Sequence, residues 1–95
     1  MTSKQRAYLK GLAMPLESTL QIGKLGLTPE VTEAVREAFN TRELLKISVL
    51  KTCLEDVGEI ADVLSERTGS QVVQTIGKKI VLYKESRENK KIELP

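Results

Sequence analysis

Ninety-five residues suffice for one domain, and 40% hydrophobic with 29% charged residues is the ordinary balance of a globular chain. Histidine is absent and Cys53 is the single cysteine, so no internal disulfide can form and the common metal sites and histidine-based triads lack their residues. The formal net charge of +2 is unevenly spread: residues 1–26 carry four basic and one acidic residue, residues 27–68 five basic and nine acidic, and residues 69–95 six basic and three acidic. Basic ends around an acidic middle would give one basic and one acidic face if the ends meet, or simply solvated faces if they do not. Met1 to Arg6 lack the apolar run of a signal peptide, and no stretch of about 18 apolar residues is present. A reducing cytoplasm is the expected setting.

Thr2 followed by Gln5 has the form of a capping box, and Leu9, Leu12, Ala13 and Leu16 follow at helical spacing with Tyr8 beside them. This helix should end just before Pro15, because the residue ahead of a proline avoids the α region. Its other face carries Lys4, Arg6 and Lys10, expected to point to water and to serve as a secondary contact surface. Ser18 to Ile22 alternates like a strand, with Leu20 and Ile22 on one face.

Gly23-Lys24-Leu25-Gly26 comes next, and Thr28-Pro29-Glu30 then reads as a helix start, with Thr28 as cap and Pro29 in the first position. Glycine at both ends permits φ > 0 and close approach by a ligand. Unpaired N–H groups at the coming helix N-terminus favour an anion, and Lys24 adds a full positive charge. The spacing therefore suggests a loop that holds a nucleic-acid phosphate backbone. A Gly-x-x-Gly pair alone is a weak signal, since most such pairs are only turns; the strand before and the helix after strengthen it.

The second helix is expected over residues 29–39, with Val31, Ala34, Val35 and Ala38 as its apolar stripe and Glu30, Glu33, Arg36 and Glu37 in water; Phe39 closes the core. Leu44 to Leu50 forms a strand in which Leu45, Ile47 and Val49 alternate with Lys46 and Ser48, so Lys46 is expected on an exposed face. Strand, helix and strand in succession imply a right-handed crossover and parallel pairing. Asp56 with Glu59 caps a third helix, with Val57, Ile60, Ala61 and Leu64 inward and Gly69 just past its end. Its acids, Asp56, Glu59, Asp62 and Glu66, do not suit a nucleic-acid face. Cys53 reads as inert core.

Gln71 to Ile76 and Lys79 to Tyr83 are strand-like runs joined by Gly77-Lys78, a tight hairpin that exposes Lys78 and Lys79. At 3% aromatic residues the chain has too few rings for a base-stacking platform, so RNA contacts would rest on backbone charge and shape. Residues 85–95 are expected to form a flexible polar tail, with Ile92 and Leu94 able to pin its end.

Several blocks now stand in order: residues 5–10 (Gln-Arg-Ala-Tyr-Leu-Lys), residues 21–28 around the glycine loop, residues 42–47 (Arg-Glu-Leu-Leu-Lys-Ile), Thr68-Gly69, and residues 76–84. Together they resemble the CRM domain, the chloroplast RNA splicing and ribosome maturation module, in its stand-alone bacterial YhbY-like form, over residues 1–84. The resemblance implies an α/β fold of order α-β-α-β-α-β-β with a four-stranded mixed sheet, similar to the C-terminal domain of translation initiation factor three. It also implies RNA binding through a Gly-x-x-Gly loop comparable in role to that of KH domains, and association of bacterial members with large-subunit precursors. Carried onto this chain, the loop is Gly23, Lys24, Leu25 and Gly26, and the basic residues in matching blocks are Arg6, Lys10, Lys46, Lys78 and Lys84. Arg42 stands where the family often has histidine; a phosphate contact survives that change.

The expected function is therefore a monomeric RNA-binding protein, with no cofactor and no metal, that assists ribosome assembly without catalysis. An alternative is a protein-interaction module whose acidic helices dock a basic ribosomal protein. An RNA-processing enzyme is the least supported, since no spaced acid pair is visible.

Overall fold

The computed structural model describes residues 1–88 and 90–95. Residue 89 of the expected tail lies outside the described residues. Each helix starts at the cap that its sequence suggests. For α1 (Ser3–Ala13), the Thr2 hydroxyl accepts from the Gln5 N–H at 3.1 Å while the Gln5 amide oxygen accepts from the Thr2 N–H at 3.0 Å. For α2 (Pro29–Ala38), Thr28 Oγ1 accepts from the Val31 N–H at 3.2 Å. For α3 (Val57–Thr68), Asp56 Oδ2 accepts from the Glu59 N–H at 3.0 Å, and Gly69 ends the helix in the left-handed region at φ +68°.

Between and after the helices run β1 (Leu20–Ile22), β2 (Leu44–Val49), β3 (Gln71–Ile76) and β4 (Lys79–Tyr83). They form one mixed sheet in the order β1-β2-β4-β3. β1 and β2 are parallel, joined by the α2 crossover, and the other pairs are antiparallel. The β3–β4 hairpin turns at Gly77, φ +56°. The fold is the expected α/β domain of three helices and a four-stranded mixed sheet.

Alternation within the strands sorts the apolar side chains into two cores, one on each face. Ile22, Leu45, Ile47, Ile80 and Leu82 meet Val35 of α2 and Ile60 and Leu64 of α3. Cys53 is buried in this core, as expected. On the other face Leu9 and Ala13 of α1 cover Leu44, Val73, Val81 and Tyr83. Burying a side chain such as Leu9 contributes roughly 1.5–3 kcal/mol.

This second core corrects the expectation that Lys46 lies on an open face. α1 crosses that face, and Lys46 Nζ donates to the Ala13 and Met14 carbonyls at 3.3 and 3.4 Å. A cation at the helix C-terminus satisfies carbonyls that have no partner within the helix. Arg6 is corrected likewise: it turns toward the sheet, not to water. β3 carries one extra residue, Val73, between the pairs Val72↔Leu82 and Gln74↔Val81. Arg6 Nη1 donates to the carbonyls of Val72 and Val73 at 2.7 and 2.8 Å. Leu12 in the last turn of α1 and Leu16 beyond its end, both expected in the apolar stripe of the helix, are 36% and 39% exposed.

The tail is docked where flexibility was expected: it folds back onto the second core, where Ile92 and Leu94 pack. Buried Glu43, at the entrance to β2, holds it there: its carboxylate accepts backbone N–H bonds from Ser86 at 2.8 Å, Lys91 at 2.6 Å and Ile92 at 2.8 Å. Burial pushes its pKa up, but these three donors and the Lys90 charge outweigh that and hold it below the usual carboxylate value. Burial, with Glu43 and Glu85 nearby, pushes the Tyr83 phenol up.

Candidate nucleic-acid interface

Strand direction decides which basic residues can act together. β1 and β2 run parallel, so the loops that follow them leave the same end of the sheet, and the β3–β4 turn lies at that end too. The Leu50 N–H donates to the Ile22 carbonyl at 2.8 Å, and the Val49 N–H donates to the Lys78 carbonyl at 2.7 Å, which ties the three segments together. Lys24, Lys51, Lys78 and Lys79 are all exposed there. Among the described residues none of the four forms a carboxylate ion pair.

The glycine loop is a closed turn: the Gly26 N–H donates to the Gly23 carbonyl at 2.9 Å. Gly26 sits at φ +69°, which glycine adopts without strain. The amides of Lys24 and Leu25 at its tip donate to no protein acceptor among the described residues. Leu25 is 85% exposed and so contributes nothing to the core. The tip therefore presents two backbone donors and an ammonium group to solvent.

The base of the turn differs from the expectation of unpaired donors. Glu55, in the connection before α3, reaches across and accepts the Leu27 N–H at 2.6 Å. A Cβ built on Gly26 would lie 1.6 Å from Glu55 Oε1, so glycine is what lets the carboxylate approach. Pro29 has no N–H, and the Val31 N–H is taken by Thr28. An anion is thus already held beside the α2 N-terminus, and it belongs to the chain itself.

The other expected site residues are not gathered here. Lys10 is exposed on α1. Arg6 and Lys46 bond backbone carbonyls on the α1 face of the sheet. Arg42 Nη1 donates to Thr19 Oγ1 at 3.2 Å at the start of β2, and Lys84 follows the end of β4. These last two lie at the opposite end of the sheet, one strand length or about 17 Å away. Lys51 escaped notice in the sequence, although its place directly after a strand parallel to β1 puts it at the end of the glycine loop. Among the described residues no group of three or more cysteines or carboxylates could hold a metal ion. No helix there is long and apolar enough to cross a membrane.

Fold and site together define a small α/β domain with one lysine-rich sheet end built around a Gly-x-x-Gly turn. Residues 1–84 match the CRS1 / YhbY (CRM) domain family, and the chain belongs to it. It is 47% identical over 95 residues, all of this chain and 99% of the other, to the protein named Probable RNA-binding protein YqeI of Bacillus subtilis (strain 168). It is 38% identical over 95 residues, all of this chain and 95% of the other, to a protein of Haemophilus influenzae named RNA-binding protein. The solution structure of the hypothetical protein SAV1595 from Staphylococcus aureus shares the fold, with a TM-score of 0.85 and 44% identity, covering all of this chain and 99% of that one.

Proposed function

We propose that this protein binds RNA, specifically ribosomal RNA in precursors of the large subunit, and assists their assembly without catalysing a reaction. The observation that carries this is the convergence of Lys24, Lys51, Lys78 and Lys79 around a glycine turn whose tip faces solvent, none of the four lysines being ion-paired to a carboxylate among the described residues. The Lys24 and Leu25 amides and the Lys24 ammonium contact one phosphate, and the other lysines extend the track. The names of the relatives support RNA as the ligand class. The ribosomal target rests on the resemblance to bacterial YhbY-like proteins. Phosphate contacts of this kind release counterions, so affinity falls steeply with salt. Lys24→Ala is expected to weaken binding to many RNAs alike and to lower the salt slope by about 1. Affinity for ribosomal RNA that ignores both salt and that substitution would overturn the mechanism.

A second reading has its own observation. Glu33 and Glu37 of α2 and Asp62 and Glu66 of α3 are exposed on the helical layer, where a basic ribosomal protein could dock. Neutralising these four separates the two readings: lost ribosome association with intact RNA binding favours the protein contact.

A further inference from the structure

The last rung of the sheet is open on the α1 face. Gln21↔Ser48, Ser48↔Lys79 and Lys79↔Ile76 are successive register partners, so the four side chains form one row across all four strands. Three interstrand steps make this row about 14 Å long. The inner part of the same face is covered by α1, which packs over Leu44, Val81 and Tyr83 and stops short of the row. What remains is an open groove of about 560 Å³ over the row, with Leu50, Lys51 and Lys78 at its margin.

Its chemistry suits one occupant. No carboxylate lines it, while three lysines do. Ile76 is 61% exposed and Leu50 39%, an apolar surface that packing leaves open. Ser48 Oγ accepts from Lys79 Nζ at 3.1 Å and also contacts the Ser18 hydroxyl, so two of its three hydrogen-bonding sites are taken. The Gln21 amide makes no hydrogen bond among the described residues and carries both donors and an acceptor. Flat apolar contact, a free amide and surrounding cations match an unstacked base with its phosphates. A duplex keeps its base faces stacked and its edges out of reach of such a row.

We propose that this row binds bases of single-stranded RNA: Ile76 and Leu50 support a base face, Gln21 reads a base edge, and Lys51, Lys78 and Lys79 hold the flanking phosphates. The proposal rests on RNA being the ligand, and it adds that the chain selects unpaired segments next to the glycine turn.

The test uses the full chain with a labelled oligouridylate of about 12 nucleotides and a blunt duplex of the same length, titrated by fluorescence anisotropy. The single strand is expected to bind more tightly than the duplex. Ile76→Ser, a change at an exposed hairpin position, is expected to weaken single-strand binding about tenfold and duplex binding much less. A 4-thiouridine strand is expected to crosslink to the segment 76–79 or to Gln21. Equal affinity for the two RNAs, or single-strand affinity unchanged by Ile76→Ser, overturns the proposal. Preference for a polyglutamate peptide over both RNAs also overturns it, since the groove would then serve an acidic protein. If Lys24→Ala weakens both RNAs while Ile76→Ser weakens neither, the proposed function stands and the groove assignment falls. If neither RNA binds, both fall.

Discussion

Arg6 and Val73 meet where the sheet departs from regular pairing. The guanidinium of the helix residue donates at 2.8 Å to the carbonyl of the one residue that β3 has in excess of its partner, and at 2.7 Å to the carbonyl before it. A bulge disrupts the ladder locally, and an arginine with several donors can serve both carbonyls. Arg6→Ala is expected to destabilise the fold by about 2 kcal/mol, because the partly buried carbonyls lose a charged donor. Urea unfolding checks this; a midpoint within error of the parent would show that water replaces the guanidinium at no cost.

Glu43 makes tail attachment depend on pH. Its pKa is held below the usual carboxylate value in the folded chain, so its contribution is complete above that value and is lost as pH falls through the lowered one. The segment after Lys84 should therefore stay docked at neutral pH and release in acid before the main core unfolds. The Ile92 methyl resonances, followed by NMR against pH, report this directly. Glu43→Ala should release the tail at neutral pH and cost about 3 kcal/mol, since three backbone donors lose one acceptor. Resonances that stay dispersed in Glu43→Ala would contradict the anchoring role.

Glu55 places a negative charge beside the surface proposed to hold phosphate. Glu55→Gln keeps an oxygen that can accept the Leu27 N–H and removes the charge. RNA affinity should rise about fivefold, equivalent to about 1 kcal/mol of relieved repulsion at a solvated site. Titration at low and high salt checks the cause, since the gain should shrink as screening increases. Weaker binding in this variant would mean that the carboxylate shapes the turn more than it repels the ligand.

Gly26→Ala combines two penalties. The backbone at φ +69° is strained for alanine, and the new methyl would displace the Glu55 carboxylate, which can swing away. A loss of about 2 kcal/mol is expected, which lowers Tm by roughly 10 °C in a domain of this size. Calorimetry measures it. Gly11→Ala is the control, because a Cβ there meets nothing within 4 Å and the position is helical; it should stabilise slightly.

Local signals in the sequence carried most of the fold. Thr2, Thr28, Asp56 and Gly69 marked helix ends through short-range bonds, and the alternation in β2 and β4 marked strands. What stayed hidden depends on partners far along the chain. Arg6 looked like a solvated helix residue because its acceptors lie 66 and 67 positions away. Lys46 alternated with core residues and so appeared to face water, since nothing near it indicates that α1 crosses that side. Glu43 carried no pattern at all, because its donors come from a polar tail 43 to 49 residues on. The glycine loop was legible as a turn between a strand and a helix, but Glu55 at its base was not.

Strand order also governs when the molecule can form. β4 is the last strand in the chain and sits between β2 and β3, with both as neighbours. During synthesis the earlier strands have no central partner until Tyr83 has emerged. A nascent chain cut short before that point holds β1 and β2 with an unfilled edge and an uncovered apolar face, the condition in which polypeptides aggregate or recruit a chaperone.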